Sequence, residues 1–218
     1  MITLRIDVDY AYSNRLKSFL ATFLNVKLGK GYLENSKIIA KMINASSKDI
    51  KAYWFFTTQT APDCELFNLI NNSKHEVCLH AVKNVYEEWM FLERHFMRLF
   101  GKKSFEYMLF EPKIKYYNVH GVKRFLMKII WHKTNRGLTQ KLLLYFSNNN
   151  TVGLDMLCSC VGQRKAYEIA KGFQIIYFHP DWLFQTGKLN RRGRFFEVLE
   201  KLLLTDNKNI PLLEEVIV

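Results

Sequence analysis

The sequence predicts an α/β fold built on a mainly parallel sheet or barrel. Apolar, β-prone runs end in Asp or His at Arg5-Ile6-Asp7-Val8-Asp9-Tyr10, at His75-Glu76-Val77-Cys78-Leu79-His80 and at Ile175-Ile176-Tyr177-Phe178-His179-Pro180-Asp181-Trp182. Segments with apolar residues at helical spacing separate these runs, so strand and helix alternate. The chain has 218 residues, 49% of them hydrophobic, enough for one sizeable core. Neither an internal repeat nor a linker divides it, so one domain over residues 1–218 is expected.

The elements follow in order. Thr3 to Asp7 reads as the first strand. Ser13 to Val26 carries Leu16, Phe19, Leu20, Phe23 and Leu24 at helical spacing. Leu28 to Asn35, with Gly29 and Gly31, reads as a loop, and Ser36 is a candidate cap for a helix through Ile38, Ile39, Met42 and Ile43. Tyr53 to Thr57 is aromatic and strand-like. Ala61 to Asn71 is a short helix with Pro62 in its first turn. Glu76 to His80 is a strand, and Asn84 to Phe100 a long helix stopped by Gly101. Lys113 to Val119 is a strand candidate ending at His120-Gly121. Val122 to Trp131 reads as helix, and Leu142 to Phe146 and Gly153 to Cys158 as strands. Gln163 to Lys171 is a helix closed by Gly172. Phe173 to Phe178 is a strand, and Arg194 to Leu204 the final helix.

Composition narrows the partners. The net charge of +12 favours anionic ones: nucleic acid, phosphorylated sugars or a membrane surface. Lys188 to Arg194 is the densest basic patch, and a solvated basic surface is its plainer reading. No apolar run is long enough for a membrane span. The segment Met1 to Asp7 lacks a basic region followed by an apolar one, so no signal peptide is expected and the cytoplasm is the default location. Cys158 and Cys160 would share one face of a strand. With no C-x-x-C pair, buried apolar packing is the simpler role for them.

The runs ending in Asp and His carry the candidate chemistry. Parallel strands of a barrel bring their C-terminal ends to one face, where active sites are built. Asp7-Val8-Asp9, then Lys74-His75-Glu76-Val77-Cys78-Leu79-His80, then His179 resemble, in spacing and order, the polysaccharide deacetylase superfamily with its NodB-like fold. Tyr53-Trp54-Phe55-Phe56-Thr57 resembles that family's second strand. The resemblance implies a distorted, seven-stranded (β/α) barrel of mainly parallel strands. It also implies a metal-dependent hydrolase that removes an acetyl group from a sugar or glycan precursor. On this reading Asp7 is the base, Asp9 and His80 are ligands of a divalent metal, zinc first, and His179 is the general acid.

The chain departs from the family pattern. Val8 separates two acids that are adjacent in the family, although alternation keeps Asp7 and Asp9 on one strand face. Asn84 stands where a second metal His belongs, and the family's Arg motif has no clear match. Asn84 and His120 are therefore the candidates for a third ligand. Tyr10, Asp181 and Trp182 are candidates for contact with a sugar.

Each residue also has a plainer role. Asp7 and Asp9 can end a strand and cap a turn. His80 can be a satisfied core histidine, His179-Pro180 a strand stop, and Trp182 a packing residue. His75, at its strand's start, reads as structural, and His95 and His132 as surface or packing residues. At the level of the whole protein, the alternatives are a catalytically degenerate, carbohydrate-binding relative and a basic nucleic-acid-binding protein. The latter has no helix-turn-helix, zinc-finger or RNA-recognition signature behind it.

Overall fold

A computed structural model describes residues 1–101, 113–119, 144–146, 149–183 and 195–204. The described residues form an α/β fold around a curled, half-barrel sheet of seven parallel strands. The strands are β1 (Ile2–Val8), β2 (Ile50–Phe56), β3 (His75–Ala81), β4 (Tyr116–Val119), β5 (Leu144–Tyr145), β6 (Thr151–Gly153) and β7 (Ile175–Phe178). Their order across the sheet is β5-β4-β3-β2-β1-β7-β6. Among the described residues the helices are α1 (Arg15–Leu24), α2 (Glu34–Ala45), α3 (Cys64–Ile70), α4 (Val85–Leu99), α5 (Leu154–Cys160), α6 (Gln163–Ala170) and α7 (Phe195–Leu204), with a 3₁₀ turn at Pro180–Trp182.

The central strands are buried on both faces, as parallel strands are. One face supplies Leu4, Ile6 and Val8 from β1, Trp54 and Phe56 from β2, and Val77 and Leu79 from β3 to the main core. Ile39 and Ile43 of α2, Leu66 of α3, Trp89 and Phe96 of α4, and Leu199 of α7 close over that face. Alternation turns the intervening residues to the opposite face. There Phe55, Cys78 and Phe146 form a second cluster with Tyr53, Tyr116 and Ile175. Arg5, Asp7, His80 and His179 alternate onto this second face.

His75 stitches the base of β3 to its surroundings. The Trp54 indole N–H donates to His75 Nδ1 at 2.9 Å, and His75 Nε2 lies 2.9 Å from Asn44 Oδ1. An indole only donates, so the imidazole is neutral with its proton on Nε2. Burial, with Lys74 and Lys51 nearby, pushes its pKa down to about 4. The structural role expected of His75 fits these contacts.

Four local expectations need correction. Gly153 to Cys158 is not a strand: β6 stops at Gly153 and α5 begins at Leu154. Leu154, Leu157, Cys158 and Val161 have helical spacing, and the core captures that stripe. Cys158 is consequently buried while Cys160 is exposed, so the two do not share a face. Ser36 lies inside α2, whose N-cap is Leu33, with φ 57° and no side-chain cap bond. Pro62 precedes α3, which Asp63 caps by accepting from Leu66 N at 2.9 Å. The expected Val122–Trp131 helix, His120, His132 and Lys188 to Arg194 lie outside the described residues.

Candidate functional site

β1 lies between β2 and β7, and β3 is one strand further across. Asp9 follows the end of β1, His80 is the penultimate residue of β3, and His179 follows the end of β7. The sheet thereby gathers residues distant in sequence at its C-terminal edge. Asp9 stands between the histidines, with Oδ1 3.2 Å from His80 Nε2 and Oδ2 3.7 Å from His179 Nε2.

The other nitrogen of His179 meets an acid that the sequence reading did not single out. His179 Nδ1 donates to Asp155 Oδ2 at 2.6 Å. Asp155 sits in the first turn of α5 and is 1% exposed. Burial alone would lower the His179 pKa. The hydrogen bond to Asp155 and the charges of Asp155, Asp7 and Asp9 outweigh that cost and raise it to about 9. His179 is thus an imidazolium at neutral pH, held by Nδ1 and presenting Nε2–H toward Asp9.

Asp7 is buried inside β1, not free at its end. Arg5, two residues earlier on the same face, donates to it twice, from Nε to Oδ1 at 2.8 Å and from a terminal guanidinium nitrogen to Oδ2 at 2.6 Å. The guanidinium also lies 5.1 Å from the Phe55 ring centroid and 5.8 Å from that of Tyr177. A planar, two-pronged donor matches a carboxylate and fixes its plane. Gly153 opens space beside this array, because a Cβ there would stand 2.6 Å from Tyr177 Cζ.

Loops lock the strand ends. Thr60 Oγ1 donates to Val8 O at 2.6 Å, tying the turn after β2 to the residue before Asp9. Buried Glu88 of α4 accepts from Val82 N and Lys83 N, both at 2.7 Å, and so fixes the turn that follows His80. Asn35 Nδ2 donates to Pro180 O at 2.9 Å and anchors the turn after His179.

The remaining candidates fall in different places. Asn84 caps α4, its Oδ1 accepting from Tyr86 N at 3.1 Å and Glu87 N at 3.3 Å. Both lone pairs of that oxygen are therefore committed to the helix, which argues against the ligand role given to Asn84. Asp181 is buried, and its Oδ1 has no hydrogen-bond partner among the described residues. Burial raises its pKa to about 6; the nearby His179 charge lowers it and Asp9 raises it further. Trp182 is half-buried and packs against the main core, as in its plainer reading. Tyr10 is 48% exposed beside Asp9. His95 on α4 is half-buried and its Nε2 donates to Pro62 O at 2.6 Å, a structural contact.

A divalent metal fits this donor set in part. Two ligands of one tetrahedral zinc, each about 2.0–2.1 Å from the ion, stand about 3.3 Å apart, and Asp9 Oδ1 and His80 Nε2 are 3.2 Å apart. Among the described residues there is no group of three or more His, Cys, Asp or Glu side chains able to hold an ion. β4 pairs with β3 through Asn118 opposite His80, and His120 lies outside the described residues. Among the described residues no helix is long and apolar enough to cross a membrane.

No family model, curated protein or solved structure matches this chain.

Proposed function

We propose that the cleft at the ends of β1, β3 and β7 is the centre of a hydrolase of the polysaccharide-deacetylase kind. It would remove an acetyl group, as amide or ester, from a sugar or glycan precursor. The observation that carries this reading is the Asp155–His179–Asp9–His80 chain of contacts, its end members buried and its middle half-buried, drawn from four separate elements.

Each group has a part. Asp9 and His80 would hold a divalent metal, with His120 as the candidate third ligand. Such an ion, when bound, polarises a carbonyl and acidifies a water. Asp7, its plane fixed by Arg5, keeps a lone pair on each oxygen and takes a proton from the attacking water. His179 is protonated at neutral pH and delivers its Nε2 proton to the leaving nitrogen or oxygen. Asp155 keeps that imidazolium oriented and charged. Asp181, near His179 and Asp9, and exposed Tyr10, next to Asp9 in sequence, would be available to sugar hydroxyls.

The direct test is acetate release from acetylated amino sugars and sugar esters, by wild type and by Asp9→Ala, His80→Ala and His179→Ala. The account expects activity that falls by at least ~100-fold in each variant. Wild-type turnover left intact in His179→Ala would overturn the assignment of the acid.

A second reading keeps the fold and the sugar but drops the catalysis. It is favoured by the commitment of Asn84 to capping α4 and by the missing third donor among the described residues. A wild-type protein that binds sugars but retains neither a metal nor hydrolytic activity would select it.

A further inference from the structure

Helix α1 is turned inside out for a surface helix. Leu16, Phe19, Leu20, Phe23 and Leu24 form one stripe at the spacing that usually faces a core. Here these side chains are 68%, 63%, 41%, 77% and 54% exposed. The opposite side of the helix supplies buried Ser18 and Ala21 to the body of the protein. The Phe19 and Phe23 rings stack on each other with centroids 6.4 Å apart, and Val26 extends the patch beyond the helix. From Val26 the patch passes to exposed Phe91 of α4 across a cavity of about 190 Å³ that also borders Lys27. A contiguous apolar surface of this kind marks a docking site.

We infer that α1 seats the protein on an anionic lipid surface, its stripe entering the acyl boundary and the surrounding lysines meeting the headgroups. Charge decides the occupant. From Tyr10 to Leu33 the sequence contains no Asp or Glu but has Arg15, Lys17, Lys27 and Lys30. Lys27 and Lys30 are exposed, and the whole chain carries +12. An anionic bilayer complements both the stripe and the charge around it. A second copy of the chain would bring the same lysines against each other at the rim of the contact. The segment that leaves Asp9 runs directly into α1, so docking would place the strand-end cleft near the membrane. The surface stands whichever chemistry that cleft performs.

The test is co-sedimentation of the full chain with vesicles of phosphatidylcholine, alone or mixed with phosphatidylglycerol. Wild type is expected to partition onto the mixed vesicles, less onto the neutral ones, and to come off as salt rises. Phe19→Ser/Phe23→Ser is expected to weaken partition by at least ~100-fold, and Lys27→Glu/Lys30→Glu by roughly thirty-fold. All four side chains are exposed, so both double variants should melt as wild type does. Wild type that stays in the supernatant at low salt overturns the inference, as do variants that partition like wild type. So does a wild-type dimer, seen by light scattering, that Phe19→Ser/Phe23→Ser makes monomeric without any vesicle binding having occurred. That result would assign the stripe to a contact between copies.

Discussion

Asp155→Asn removes a buried negative charge while keeping the side chain's volume and an oxygen facing His179. The raised His179 pKa, about 9 against an ordinary 6.5, corresponds to ~3 kcal/mol in favour of the folded imidazolium. Asp155 supplies both the 2.6 Å hydrogen bond and the leading charge behind that rise. Without that charge the burial cost remains, opposed by Asp7, Asp9 and a weaker bond to a neutral amide oxygen, and the His179 pKa should fall toward 6.5. The consequence for stability has a definite sign. A group whose folded pKa lies above its unfolded value contributes fully below the unfolded pKa and loses that contribution as pH rises through the folded one. Wild type should therefore lose up to ~3 kcal/mol between about pH 6.5 and pH 9 that Asp155→Asn does not lose. Urea denaturation at pH steps through that window, compared between the two proteins, isolates the effect. Titration of the His179 ring proton by NMR reads the same quantity directly. The alkaline limb of the activity profile should move to lower pH in Asp155→Asn. A His179 that titrates alike in both proteins would refute the pairing as the source of its charge.

Arg5→Met leaves Asp7 buried and unpaired, and should cost about 3–5 kcal/mol in chemical denaturation, most of it recovered in Arg5→Met/Asp7→Leu. His75, with its pKa pushed down to about 4, should make the protein lose stability as pH falls from 6.5 through 4; acid titration of His75→Phe should show a flatter profile over that window. Asn84→Ala should cost about 1 kcal/mol in thermal or urea unfolding as a lost helix cap and leave the metal content of the protein unchanged. A drop in metal content in Asn84→Ala would return that residue to the ligand set. Gly153→Ala should displace the Tyr177 ring and cost about 1–3 kcal/mol in urea denaturation. Tyr177→Ala should cancel that added cost in the double variant.

The sheet and most of the site were legible because parallel strands write a simple signal. Apolar runs that end in Asp or His at β1, β3 and β7 mark the strand ends, and the strands bring those ends together. The unread parts have physical reasons. Asp155 was hidden by reading Gly153 to Cys158 as a strand; the spacing of Leu154, Leu157, Cys158 and Val161 was the available signal for a helix starting at the acid. Arg5 was passed over because a cation in an apolar strand reads as a surface residue, although it shares a strand face with Asp7. Asn84 was weighed as a ligand by its position after His80, whereas its place just before a long amphipathic helix also fits a cap. The apolar stripe of α1 was legible as a helix, but periodicity alone does not say which way a stripe faces.

The central claim is that Asp9 and His80 hold a divalent ion beside the His179 acid. Elemental analysis of untagged wild type and of His80→Ala tests it most directly. The account predicts about one zinc, nickel, cobalt, manganese or iron per chain in wild type, lost in His80→Ala with the fold intact. Wild type that retains no ion after incubation with each of these metals would contradict it and leave the degenerate, sugar-binding reading in its place.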